Sequence, residues 1–189
     1  MKIDELPLET LPLSRGRNLV SPRDAGRRAF GFTGQSGNGK TSLLEKVIEH
    51  LILDGFTISA IKHAHHGFDI DKPGKDSYRM REAGCNEVML VGDQRWVLMR
   101  EFRRQPEPDL GMLLSRMEPV DLVLVEGFRD SPIPKIEVFR SSLGKAPLWP
   151  NNATIVAVAS DESLDIDLPL LDLNDPRQIA DFVRRYVLA

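Results

Sequence analysis

Phe30-Gly31-Phe32-Thr33-Gly34-Gln35-Ser36-Gly37-Asn38-Gly39-Lys40-Thr41-Ser42 decides the fold, because it joins an apolar, β-prone run to a glycine-rich turn and ends where an amphipathic helix begins. Gly34 to Thr41 fits G-x-x-x-x-G-K-[ST] at every fixed position, the pattern of a phosphate-binding loop set between a strand and a helix. The chemistry needs those residue types. Glycines let the backbone curl until successive N–H groups face an anion, and the helix N-terminus adds its partial positive charge. Lys40 is expected to reach the β- and γ-phosphates of a purine nucleoside triphosphate, and the Thr41 hydroxyl to bind Mg²⁺, which prefers oxygen ligands. Gly34, Gln35, Ser36, Gly37, Asn38, Gly39, Lys40, Thr41 and the following Ser42 are therefore the candidate phosphate-contacting residues.

Working outward, Leu43, Leu44, Val47, Ile48, Leu51 and Ile52 form a stripe at helical spacing, and Gly55 stands where a helix C-terminus favours positive φ. Further strands are expected near 57–61, 86–91, 96–100, 120–125, 135–139 and 154–159, after a first one at 29–33. Further helices are expected near 76–83, 109–117 and 176–187. Short β runs alternating with helical ones predict an α/β fold, P-loop NTPase-like, with a mostly parallel sheet flanked by helices. Gly92-Asp93 between two β runs predicts a hairpin insertion, hence some antiparallel pairing. Residues 1–28, with three prolines, five arginines and no period, read as a loosely ordered extension, leaving 29–189 as the nucleotide-binding domain.

Magnesium needs a carboxylate beyond the loop, and the apolar run Val120 to Val125 delivers Glu126 at its C-terminal end. That is the edge at which open parallel sheets bind ligands. Asp121 lies at the other end of the same run. Lys62-His63-Ala64-His65-His66-Gly67-Phe68-Asp69-Ile70-Asp71 and Lys75 follow the second strand, and hold three of the chain's four histidines. Three chemistries fit this segment: a transition metal on His63 and His65, magnesium or water on Asp69 or Asp71, or cationic contacts from Lys62 and Lys75 to an anion. A segment contacting nucleotide or substrate near the γ-phosphate is the favoured reading, with Lys62, His63, His65, His66 and Lys75 as binding candidates. Asp69, Asp71 and Glu126 are the candidate catalytic carboxylates, and Thr41, Asp69 and Glu126 the candidate metal ligands. Zinc is disfavoured because no thiolate stands near the histidines.

Composition narrows the setting. A chain of 189 residues with 41% hydrophobic content can bury one sizeable core. A net charge of -3 lacks the positive excess of a general nucleic-acid binder. Cys85 is the single cysteine, which excludes an intramolecular disulfide and fits a reducing compartment. No signal-like apolar run and no stretch of roughly 18 apolar residues occurs, so a soluble, cytoplasmic protein without a membrane span is expected.

Five ordered blocks together are more specific than the loop alone: Gly34 to Thr41, Lys62-His63-x-His65-His66, Asp69-x-Asp71-x-x-Gly74-Lys75-Asp76-Ser77, Leu124-Val125-Glu126-Gly127-Phe128 and Pro134-Lys135-Ile136-Glu137. Over residues 29–187 the chain resembles the molybdopterin-guanine dinucleotide biosynthesis protein MobB family. The resemblance implies a GTP-binding adapter with at most feeble GTPase activity, usually a homodimer. Its implied partner is the guanylyltransferase MobA, which joins GMP to molybdopterin, with molybdopterin itself a further candidate ligand. Residues 1–28 extend beyond the usual start of such proteins, and no N-K-x-D-like guanine-reading motif is present. Ser160-Asp161, after an apolar run, is the one weak candidate for meeting a base. A stand-alone P-loop kinase or GTPase and a GTP-gated metallochaperone are the alternative functions.

Overall fold

Strand β1 (Ala29–Thr33) is buried along its whole length, as a central strand covered on both faces must be. The computed structural model describes residues 28–64 and 67–189. The expected extension therefore lies outside the described residues except for Arg28, and so do His65 and His66. By their contacts, the described residues form two compact units, one of 28–63 with 110–189 and one of 64–109.

In the first unit the chain runs β1, α1 (Lys40–Leu53), β2 (Ile58–Lys62), then α3 (Leu110–Arg116), β5 (Leu122–Glu126), β6 (Lys135–Phe139), β7 (Ile155–Ser160), β8 (Leu170–Asp172) and α4 (Pro176–Leu188). The sheet order is β2-β5-β1-β6-β7-β8, and every neighbouring pair is parallel. Alternation sorts the side chains. Phe30, Phe32, Leu122 and Leu124 face a core shared with Leu43, Val47 and Leu51 of α1 and Ile179, Phe182 and Val183 of α4. Ala29, Val123 and Val125 face the opposite way, with Leu110 and Leu114 of α3. A fully buried Leu or Val contributes about 1.5–3 kcal/mol, so Leu51→Ala would cost roughly 2–5 kcal/mol including the cavity.

Two side chains pin the far edge of this sheet. Asp121, just before β5, accepts from the Thr57 hydroxyl at 2.6 Å and its N–H at 2.8 Å. The Thr57 hydroxyl first, and its N–H second, hold the Asp121 carboxyl below the usual carboxylate range. This fixes edge strand β2 against β5 at the end opposite Glu126.

The second unit holds α2 (Asp76–Glu82) and the strands β3 (Glu87–Val91) and β4 (Trp96–Arg100). The two strands pair antiparallel, with Met89 opposite Leu98 and Val91 opposite Trp96. The hairpin expected from Gly92-Asp93 is thus present, as a separate two-stranded sheet. The expected strands and helices all form, with ends shifted by a residue or two. β8 was not expected. Among the described residues no helix is long and apolar enough to cross a membrane.

Candidate functional site

The loop after β1 is shaped by close backbone contacts. Gly34 has φ 134°, and a Cβ there would stand 2.3 Å from the Val138 carbonyl oxygen, so only glycine fits. Asn38 is buried and donates from Nδ2 to the same carbonyl at 2.8 Å. Three further bonds tie the loop to the chain that follows β6. The Lys145 ammonium donates to the Ser36 carbonyl at 2.6 Å, Gln35 Nε2 to the Ala146 carbonyl at 3.4 Å, and Arg140 Nε to the Asn38 carbonyl at 3.4 Å. That following segment is itself anchored, because the Glu137 carboxylate accepts from the N–H groups of Leu148 and Trp149. Burial pushes the Glu137 carboxyl up from its ordinary value.

Helix α1 starts at Lys40 with Gly39 as its N-cap and no side chain capping it, so its first N–H groups are left to an anion. Lys40 folds back and donates to the Gln35 carbonyl at 3.0 Å. Its ammonium is held below the usual lysine value, chiefly by burial and also by Lys62 and Lys145, with Glu126 opposing. Ser42 is exposed in the first turn.

Parallel pairing brings Lys62 of β2 and Phe32 of β1 level with Glu126 of β5. The Thr41 hydroxyl lies 3.0 Å from both carboxylate oxygens of Glu126. Lys62 donates to the Thr41 hydroxyl at 2.9 Å and stands 3.3 Å from Glu126 Oε2. A hydroxyl and a carboxylate converging on one cationic group are hard oxygen donors of the kind magnesium takes, usually alongside phosphate oxygens and water. The residues present fit the ion, and the Lys62 ammonium lies against the same hydroxyl and carboxylate oxygens.

The remaining candidates are placed differently. His63 donates its N–H to the Glu126 carbonyl at 2.8 Å, and its ring stacks on Phe128 with centroids 4.5 Å apart. Gly127, with φ 94°, is required here because a Cβ would come within 2.8 Å of His63 Cβ. In the other unit, Asp69 and Asp71 are both engaged by Arg81, Asp69 through two 3.0 Å bonds and Asp71 at 3.2 Å. Arg81 also donates to Glu101 at 2.7 Å. The Ser77 hydroxyl, 2.7 Å away, is the main cause holding the Asp71 carboxyl below the usual range, followed by the Lys72 N–H and Arg81. Lys75 is the exposed N-cap residue of α2. Asp161, beside the Ser160 that ends β7, is ion-paired with Arg140. Among the described residues no three His, Cys, Asp or Glu side chains gather as metal ligands.

Sequence reasoning missed Arg81 and Lys145. Lys145 carried one faint signal, a cation just after Gly144 in a segment without period.

A parallel sheet, a glycine loop opening a helix, and a Thr–Glu pair joining that helix to the end of β5 define a P-loop NTPase-like α/β protein. The chain belongs to the family described as molybdopterin guanine dinucleotide synthesis protein B, whose model matches residues 29–161. It is 47% identical over 161 residues to the molybdopterin-guanine dinucleotide biosynthesis adapter protein of Haemophilus influenzae, covering 84% of this chain and 88% of that one. To the adapter protein of Escherichia coli K12 it is 46% identical over 155 residues, covering 80% and 89%. Among solved structures, molybdopterin-guanine biosynthesis protein B superposes with TM-score 0.67 at 20% identity, covering 84% of this chain and 99% of that one. The MobB homolog from Bacillus stearothermophilus does so with TM-score 0.63 at 24% identity, covering 85% and 97%. At those identities the two structures speak for the fold.

Proposed function

We propose that this protein is a cytoplasmic, GTP-binding adapter of molybdopterin guanine dinucleotide biosynthesis, which assists the guanylyltransferase MobA in attaching GMP to molybdopterin. The observation that carries the nucleotide part is the uncapped N-terminus of α1 beneath a loop that also holds Lys40, with Thr41 and Glu126 converging beside it. The family and the adapter proteins at 46% and 47% identity carry the pathway part.

On this reading the backbone of 34–41 binds the triphosphate, and Lys40 balances charge at the β- and γ-phosphates. Thr41 and Glu126 would hold Mg²⁺, which would supply charge neutralisation to the triphosphate when bound. Such a cradle suits GTP sensing or slow γ-phosphoryl chemistry, and not nucleotidyl transfer at the α-phosphorus. The protein is therefore an accessory with at most weak GTPase activity.

Homodimerisation belongs to the same proposal. One face of the hairpin presents Met89, Val91, Trp96 and Leu98, all at least 40% exposed, the kind of apolar patch that marks an interaction surface. Trp96→Glu should shift sedimentation from dimer to monomer.

A reconstituted assay with molybdopterin, GTP and magnesium tests the adapter role. This protein alone should make no dinucleotide, and should raise the yield when MobA is present. Lys40→Ala should weaken triphosphate binding at least tenfold in calorimetric titration, a loss of about 1.5–3 kcal/mol, and remove the stimulation. Product from this chain alone refutes the accessory role, and unchanged affinity in a folded Lys40→Ala refutes the phosphate-loop assignment.

A further inference from the structure

We propose that Lys62 is a built-in rival of the divalent cation, exchanging with it between the Thr41 hydroxyl and the Glu126 carboxylate. The two oxygens a metal would take are the two that Lys62 already contacts, at 2.9 and 3.3 Å. Thr41 donates its proton toward Glu126 and accepts from the lysine, so the ammonium already stands on the side of the hydroxyl and carboxylate that a metal would approach. An ammonium and a divalent ion sharing these acceptors would lie a few ångströms apart, and like charges at that distance repel strongly in a partly buried site. One of them must leave.

The lysine is the member built to move. Its side chain is 58% exposed, whereas that of Glu126 is 10% exposed and is fixed at the end of β5. A four-carbon stem lets the ammonium swing away from Glu126 while its charge stays near the loop, where Lys40 and Lys145 also stand. The site therefore carries a resident positive charge whether or not metal is bound. A triphosphate then binds without magnesium more readily than to a loop lacking this lysine, and magnesium must displace the lysine to enter.

This inference rests on the nucleotide reading of the loop for its first test. The affinity of a fluorescent GTP analogue is measured in EDTA and across a Mg²⁺ titration, for the full-length wild type, Lys62→Met and Lys62→Arg. Circular dichroism melts confirm that each folds. Lys62→Met should lose about tenfold or more in affinity in EDTA, and should reach half of its magnesium effect at roughly tenfold lower Mg²⁺ than wild type. Lys62→Arg should keep the EDTA affinity. Equal losses with and without magnesium, or an unchanged magnesium midpoint, overturn the exchange and make Lys62 a plain phosphate ligand. If the wild type binds no GTP in either condition, the nucleotide reading fails, and Mn²⁺ alone, followed by electron paramagnetic resonance, decides the exchange. More Mn²⁺ held by Lys62→Met than by wild type, and lost on adding Glu126→Gln, sustains it; equal retention overturns it.

Discussion

Around Glu126 one carboxylate serves a hydroxyl and an ammonium, with the Lys40 and Lys145 ammoniums bonded to carbonyls of the adjoining loop. Around Arg81 one guanidinium serves three carboxylates, those of Asp69, Asp71 and Glu101. The first cluster has positive charge and backbone N–H groups in excess of its anion, which equips it for an anionic ligand. The second is negative in excess, but its acceptors are taken up internally, with Asp71 also bonded to Ser77 and to the Lys72 N–H. Its bonds hold a loop in shape. Aspartates that read as catalytic in the sequence are thus the better-saturated carboxylates of the two clusters.

The comparison breaks most visibly if the loop's shape does not matter. Gly34→Val places a side chain into the Val138 carbonyl at a φ of 134°. It should destabilise the protein by about 3 kcal/mol or more in urea unfolding. A loss under about 1 kcal/mol would show that the loop relaxes freely.

A third charged group sharpens the contrast, because Lys135 is buried and bonded only to uncharged oxygens: the Ser131 carbonyl, the Ile133 carbonyl at 2.9 Å and the Thr154 hydroxyl at 3.0 Å. Burial lowers its pKa from 10.5 to about 8, with Asp130 opposing. Between those two values the unfolded chain binds more protons at this site than the folded one, so its contribution to stability grows as pH rises through that window. That contribution is lost as pH falls from 10.5 to about 8, and below about 8 it no longer changes. From about pH 7.5 to 10, urea unfolding of wild type should gain roughly 2 kcal/mol relative to Lys135→Met. A flat difference would mean that the ammonium stays charged throughout.

Arg81→Ala probes the saturated cluster. Amide hydrogen exchange across 67–83 should accelerate about tenfold, while β1 and β5 stay protected. Acceleration in β1 as well would mean that the two units unfold together. The smallest effect belongs to Lys62→Met, whose side chain is 58% exposed; its unfolding free energy should lie within about 0.5 kcal/mol of wild type. A larger loss would make the lysine a structural tie.

The long elements were legible because each carried a period. The stripe of α1 and the apolar runs of β5 and β7 specify burial on one face or both. β8 spans three residues, too few for alternation to stand out from Leu168 to Leu173. Glu126 was legible as a strand-end carboxylate because its position follows from β5 alone. Arg81 was not, since its role depends on a loop ten residues upstream and a strand end twenty residues downstream. Lys145 reaches Ser36 across 109 positions, and local pattern carries no trace of such a contact.

Those ties between the loop and the segment after β6 set the thermodynamics of any association there. Gln35, Ser36 and Asn38 are already bonded to Ala146, Lys145 and Arg140, and Glu137 secures the far side of the same segment. The conformational entropy of ordering the loop is therefore lost during folding and not when a ligand arrives. Each tie that is cut should make the entropy of binding less favourable, so Lys145→Ala would weaken association through disorder as well as through the lost positive charge.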